Sequence, residues 1–330
     1  MTAAATAIDA PRRVFTGSIK RSRRWALIAS YFFLILFAIF FLVPPYYQLA
    51  TATKTSEQIS NQNTNPWLPA LSSSAEGLNP GGANAAKTSL ATKAQDSWMP
   101  AALRGAWANV TQLMTTTDFP IYFRNTAIVT VLVVIVTMLI AVPAAFSLGR
   151  MKFWGSGMLA TGVFLTYLVP DSLLFIPLFK VVGGLGLLNS YWGLVLVYPT
   201  LSVPFCTWIM IGYFQSIPKE LDEAALIDGA NYIQMLFKIF IPVALPGVIA
   251  ATIFAFTVSW AAFVYPMAFI YSSDQLVLTA GTITSLVKAD VYQWGMIMTA
   301  ALIAAAPPLV IYAFLMDYYI AGLTAGATKG

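Results

Sequence analysis

The sequence predicts an all-α membrane protein with six transmembrane helices, and two observations carry that prediction. Apolar residues make up 58% of the 330 residues and charged residues only 9%, a balance far from that of soluble domains. Crossing a hydrocarbon core takes about 20 apolar residues, and stretches of that kind lie at 25–44, 121–149, 155–178, 190–214, 240–271 and 292–320. Outer-membrane strands show about 10 residues of alternating polarity, whereas these runs are continuous. Helices, which satisfy their own backbone hydrogen bonds in lipid, are the structure they require.

The first span follows a basic segment, residues 1–24, in which Arg12, Arg13, Lys20, Arg21, Arg23 and Arg24 stand against Asp9 alone. Positive flanks stay in the cytoplasm, so the N-terminus is expected inside. The run after Arg24 ends in Val43-Pro44-Pro45 and is longer than a signal-peptide core, which makes the charge a topology signal and not part of a leader. With six spans the tail, 321–330, is also inside. Residues 45–119 form the long extracytoplasmic loop, rich in Ser, Thr, Asn, Ala, Gly and Pro, with turn punctuation at Asn79-Pro80-Gly81-Gly82. It either covers the outer face, touches an extracytoplasmic partner, or is a variable connector.

The remaining spans form a five-helix core, 120–320. Span two ends at Arg150 and Lys152, again on the inner side. Pro170, Asp171, Pro177 and Lys180 interrupt the third span, and Gly183-Gly184 follows. A re-entrant break is the alternative reading there.

Composition removes several chemistries. Cys206 is the only cysteine and histidine is absent, so the chain has no intrachain disulfide, Cys-cluster or His-ligated metal site, or Ser-His-Asp catalysis. Neither catalytic nor metal-binding residues are assigned. Asp171 and Asp317 fall near span ends, leaving no securely midplane carboxylate for an ion-coupled carrier. The stretch Gly82 to Thr88 has a lysine but carries Ala86 where a phosphate loop needs glycine. Any ATPase is therefore a separate subunit.

The segment between spans four and five is the most informative. Ser216 reads as an N-cap, Pro218 suits a first helical turn, and Glu220, Asp222 and Glu223 put negative charge where the helix dipole favours it. Ala224 and Ala225 keep the surface low for a partner's approach, and Gly229 can end the helix. A short helix, a turn and a second helix leading to Pro242 are expected.

Glu223-Ala224-Ala225, three residues, Gly229, nine residues and Ile239-Phe240-Ile241-Pro242 resemble the EAA loop of importer permeases in the ATP-binding cassette (ABC) superfamily, with Ile241 where leucine is usual. The surrounding chain is similar to the carbohydrate branch, and to its maltose-type second permease. The matching segments are Phe123-Arg124-Asn125-Thr126, Leu148 to Gly155, Pro177-Leu178-Phe179 with Leu185 to Asn189, Ile241 to Gly247, and the ending from Ile320. Two features depart from that pattern: a longer outer loop, and Trp260-Ala261-Ala262-Phe263 where Trp-Asn-x-Phe is common.

The resemblance implies a type I ABC importer permease fold with cytoplasmic EAA coupling helices in loop 216–242, in a bacterial inner membrane. It implies a second homologous permease, two ATPase subunits carrying ATP and Mg, an extracytoplasmic solute-binding protein, and no cofactor or nucleic acid on this chain. Glu223, Ala224, Ala225, Asp228, Gly229 and Pro242 are the implied ATPase-coupling residues. Asp274 and Lys288, in the outer loop 272–291, are candidates for docking the binding protein, or are simply solvated. Ser259 and Trp260 are candidates for the solute pathway, with helix packing or lipid contact as the alternative. Tyr265, five residues beyond Trp260, points about 140° away on a helix. A polyol permease or an ion-coupled secondary carrier are the competing functions.

Overall fold

A computed structural model describes residues 16–61, 64–69, 100–151, 153–288 and 291–325. In chain order the helices are α1 (Thr16–Ala52), α2 (Ser56–Ser60), α3 (Ala101–Thr116), α4 (Phe119–Arg150), α5 (Ser156–Tyr167), α6 (Asp171–Gly184), α7 (Tyr191–Ser216), α8 (Glu220–Ile227), α9 (Tyr232–Val243), α10 (Leu245–Ala261), α11 (Val264–Phe269), α12 (Leu278–Leu286) and α13 (Trp294–Ala325). A two-residue hairpin, β1 (Val287–Lys288) with β2 (Val291–Tyr292), pairs Val287 with Tyr292 and Lys288 with Val291.

Four helices, α1, α4, α7 and α13, are long and apolar enough to cross a membrane, and the count reaches six where each of two bent pairs is one span. The first pair, α5 and α6, turns by 95°. Pro170 has no N–H to donate, disfavours a helical residue before it and is itself extended (φ −59°, ψ 133°), so the interruption expected there becomes a break. The second pair, α9 and α10, turns by 84°, with Pro242 and Pro246 flanking Ala244. The expected single span 240–271 is thus three pieces. Its outer end breaks again where Ala262 turns extended (φ −61°, ψ 132°) before α11. The first helix also differs from expectation: it continues through Pro44 and Pro45 to Ala52, because later N–H groups resume the helical bonding that two prolines interrupt.

The core is built on α4 against α7, with α10 across both, α13 on α10, and α1 and α3 on α13. Its apolar side chains form two clusters. The outer one holds Phe119, Tyr122, Val129, Tyr198, Tyr265, Phe269 and Leu278. The inner one holds Ala141, Phe146, Met210, Phe214, Met235 and Phe240. Between α4 and α7, Thr137 and Ser202 share a buried hydroxyl hydrogen bond of 2.8 Å. Close approach depends on a missing side chain at Gly247, where a Cβ would lie 2.4 Å from the Tyr213 ring.

The described parts of the segment after α1 are tied to one another and to the end of that helix. Lys54 is 3% exposed and donates to the carbonyls of Asn65 and Pro66 at 2.8 and 2.9 Å. Burial lowers its pKa. Buried Asn109 on α3 donates to the carbonyls of Ala52 and Lys54. The turn at Asn79–Gly82, the stretch 82–88, Arg12, Arg13, Lys152 and the tail from 326 lie outside the described residues, as does the side chain of Asp317.

The loop 271–278 is held by side chains from α4 and from the turn between α6 and α7. Asn125, fully buried on α4, donates to the carbonyls of Asp274 and Leu276, both at 2.9 Å. Thr126 Oγ1 accepts from the Leu278 N–H at 2.7 Å. Asn189, in a left-handed conformation (φ 55°), accepts from the N–H groups of Tyr271 and Ser272 and donates to Ser272 Oγ. A buried carbonyl stripped of its donor costs about 1–3 kcal/mol. Asn125→Ala is therefore expected to raise hydrogen exchange across residues 271–278 while leaving α7 protected; unchanged exchange in that loop would show that Asn125 does not hold it.

Candidate functional site

The segment between α7 and α10 is a helix, a turn and a second helix, but its start differs from the sequence reading. Ser216 is the last residue of α7, its hydroxyl donating back to the Tyr213 carbonyl at 2.7 Å, so it does not cap the next helix. Ile217 is extended (φ −71°, ψ 134°) and α8 begins at Glu220. Glu220, Asp222 and Glu223 occupy its first turn, where they offset the positive end of the helix dipole.

Helix α8 presents Glu223 and Ala224 to the outside and buries Ala225, 4% exposed, in the inner cluster. Ala225 therefore seats α8 on its own bundle, and Ala224 is the alanine left on the outside. The helix ends in a Schellman turn: the Ala230 N–H donates to the Ala225 carbonyl at 2.9 Å and the Gly229 N–H to the Leu226 carbonyl at 3.1 Å. This turn needs the left-handed backbone of Gly229 (φ +75°). A Cβ there would meet nothing within 4 Å, so the glycine serves conformation and not space. Asp228 is exposed beside it. Asn231 and Gln234 then form a capping box that starts α9.

Arg150, at the end of α4, ties these pieces together. Its side chain is 5% exposed and pairs with Asp222 of α8. Its guanidinium also donates to the carbonyls of Phe214 (3.1 Å), Ile217 (2.8 Å) and Pro218 (3.2 Å), and its Cζ lies 4.9 Å from the centre of the Phe240 ring. One planar fork thus joins α4, the end of α7, the linker, α8 and α9. Sequence reasoning used Arg150 for orientation and missed this role. The available signal was a lone arginine at a span end followed by an acid-rich loop. At Pro242, exposed on α9, the missing N–H coincides with a widened π-helical turn over Leu236–Phe240, closed by the Ile241 N–H on the Leu236 carbonyl.

The two pathway candidates pack inside this chain. Ser259 is 4% exposed and bonds to Thr130 Oγ1 at 3.3 Å. Trp260 is 7% exposed, donates from its indole N–H to the Ala304 carbonyl at 2.9 Å, and stacks on Phe256. Both are committed to helix packing because α10 runs between α4 and α13. Tyr265 is likewise buried, its hydroxyl on the Asp171 carbonyl at 3.0 Å. Of the docking candidates, Asp274 is exposed in the 3₁₀ turn Ser273–Gln275. Lys288 belongs to β1 and its side chain lies outside what is described. Among the described residues, no three His, Cys, Asp or Glu converge on a metal-sized site.

Comparison with known proteins agrees with this architecture. Residues 141–324 match the family described as the binding-protein-dependent transport system inner membrane component. The chain is 32% identical over 249 residues to the sulfoquinovosyl glycerol transport system permease protein SmoH of Agrobacterium fabrum, covering 74% of this chain and 86% of that one. It is 32% identical over 217 residues to the trehalose/maltose transport system permease protein MalG of Thermococcus litoralis, covering 65% and 77%. Its fold is similar, at a TM-score of 0.70 and 19% identity, to a chain of a bacterial ABC transporter involved in import of the acidic polysaccharide alginate, over 91% of this chain and 98% of that one. The chain belongs to the binding-protein-dependent transport system inner membrane component family of ABC importer permeases.

Proposed function

We propose that this permease passes a sugar, oligosaccharide or glycoside into the cytoplasm by alternating access, beside a second homologous permease. As a family member it is a non-catalytic inner-membrane subunit, and ATP hydrolysis belongs to a separate ATPase. In the proposed cycle two ATPase subunits bind ATP and Mg and close, and an extracytoplasmic binding protein delivers the solute. Both termini lie in the cytoplasm. Relatives named for trehalose, maltose and sulfoquinovosyl glycerol transport support the carbohydrate class.

The observation that carries the reading is the exposed, acid-rich α8 mounted rigidly on the bundle through Arg150. A lever must offer a face and must not slip on its mount. Glu223, Ala224 and Asp228 form the proposed face toward the ATPase, Gly229 sets the turn, Ala225 seats the helix, and Pro242 marks the bend into α10. Asp274, with Lys288, is the proposed contact for the binding protein on the opposite loop.

The primary test is to purify the chain with its associated subunits and measure ATP hydrolysis with binding protein loaded from a glycoside panel. Stimulation by a loaded complex supports the importer reading; absence of any associated ATPase, with ion-driven solute movement by this chain alone, sinks it. Placing a side chain in the left-handed region costs roughly 1–2 kcal/mol, and a β-branched one more. Gly229→Val is accordingly expected to abolish solute-stimulated hydrolysis at normal membrane levels, with Gly229→Ala intermediate; full coupling in the valine variant would remove Gly229 from the mechanism. Arg150→Lys keeps the charge but loses the fork, so stimulation should fall about as it does in Asp222→Asn, and equal coupling in both variants and the parent would refute the mount. For the outer loop, Asp274→Ala with Lys288→Ala should weaken the response to loaded binding protein and leave basal hydrolysis unchanged.

A further inference from the structure

The two bent spans are tied to each other beyond their breaks. Helix α6 opens at Asp171, after the first break, and α11 opens at Val264, after the second. The Tyr265 hydroxyl donates to the Asp171 carbonyl at 3.0 Å, across 94 residues of sequence. The second residue of one segment thus holds the first residue of the other. That carbonyl keeps a second lone pair for the helical bond of α6, and within a span no water competes for the hydroxyl.

Four rings continue the tie along both helices. Phe175 and Phe179 sit one turn apart on α6, Tyr265 and Phe269 one turn apart on α11, and each ring touches two of the others. Between the helices the ring centroids lie 6.1 Å apart for Phe175 with Tyr265 and 5.9 Å apart for Phe179 with Phe269. This order sets the two segments parallel and in register. Interplanar angles of 41–75° around the four interlock the rings, so sliding one helix past the other would forfeit those contacts. At the far end the N–H of Asn189, in the turn after α6, donates to the Phe269 carbonyl at 2.7 Å. Hydrogen bonds therefore close both ends of the ladder.

Contact with α7 is built differently at its two ends. The turn after α6 abuts the start of α7, where a Cβ at Gly193 would lie 2.6 Å from the Leu187 carbonyl and 3.0 Å from the Val182 side chain. Near the breaks, Tyr198 of α7 meets the Tyr265 ring edge-on at 6.4 Å, and its buried hydroxyl has no hydrogen-bond partner among the described residues. Parting these two rings breaks no hydrogen bond, whereas parting α6 from α11 strips a donor and an acceptor of their partners.

We infer that α6 and α11 form one rigid unit, with Tyr265 the positioning residue that makes the two breaks turn together. A change of angle at Leu168–Pro170 carries Asp171, hence Tyr265, and so imposes a change of angle at Ala262–Phe263. The tie does not depend on the importer reading; its use in alternating access does.

Hydrogen exchange on the full importer in lipid nanodiscs, without nucleotide and after vanadate trapping, tests this. In the parent, residues 171–176 and 264–270 should change exchange together between the two states. Tyr265→Phe removes only the hydroxyl and keeps the four rings. Loss of that one hydrogen bond should raise exchange about fivefold in 171–176 as well as in 264–270, and trapping should then shift the two segments by unequal factors. Tyr198→Phe, which removes an unbonded hydroxyl, should leave both segments at the parent rates. A rise confined to 264–270 in Tyr265→Phe overturns the tie, as does a parent in which trapping moves only one segment or neither. If no ATPase accompanies the chain, the importer reading falls, while the exchange of Tyr265→Phe against the parent still decides the tie.

Discussion

The end of this molecule that carries α8 depends on one buried guanidinium. Arg150 is almost fully removed from water, and an unpaired charge so placed would cost several kcal/mol. Its partners supply what water would have supplied: the Asp222 carboxylate and three carbonyls from the end of α7 and the linker beyond it. Those carbonyls lie at the negative end of a helix dipole, so backbone and side-chain electrostatics converge on one cation. Lysine, with a point charge and three donors, cannot span the same set. The position of α8 therefore follows from where α4 ends.

The opposite end is tied by neutral groups. Asn125, Thr126 and Asn189 hold the loop after α11 through backbone hydrogen bonds, and no ion pair is involved in those contacts. An amide can satisfy two carbonyls without the desolvation cost of a charge. Both anchors Asn125 and Arg150 sit on α4, near its opposite ends, and α4 packs along α7 between them. A displacement imposed at α8 thus has a stiff route to the loop that carries Asp274.

Much of this fold was legible in sequence because hydrocarbon imposes a length and a composition on each span. Pro170 and Asp171 announced the break in the third span, and the spacing from Glu223 to Gly229 announced the helix and its turn. Ser216 misled because a serine before a proline and acids has the composition of an N-cap, while the preceding helix claims it through the Tyr213 carbonyl. Ser259 and Trp260 stood open between pathway and packing in the sequence because their partners, Thr130 and the Ala304 carbonyl, lie 129 and 44 residues away. The segments around Asn125 and Asn189 signalled resemblance without showing their job, since a carbonyl acceptor leaves no mark on a sequence.

Stiffness at the inner end has a physical counterpart at two interruptions. The breaks at Leu168–Pro170 and at Ala262–Phe263 lack continuous helical bonding, and backbone angles change there at less cost than within α4 or α7. Helix α5 leaves the inner end near Arg150 and terminates at the first break; α10 leaves it at the proline bend and terminates at the second. On the importer reading, motion delivered to α8 travels as a rigid body until it reaches those two sites, where segments can turn relative to one another. Helices α6 and α11 lie beyond these breaks, whereas the loop clamped by Asn125 and Thr126 stays with the α4–α7 pair. Alternating access then needs no deformation of the packed α4–α7 pair, only rotation where proline or an extended residue has already suspended the helix.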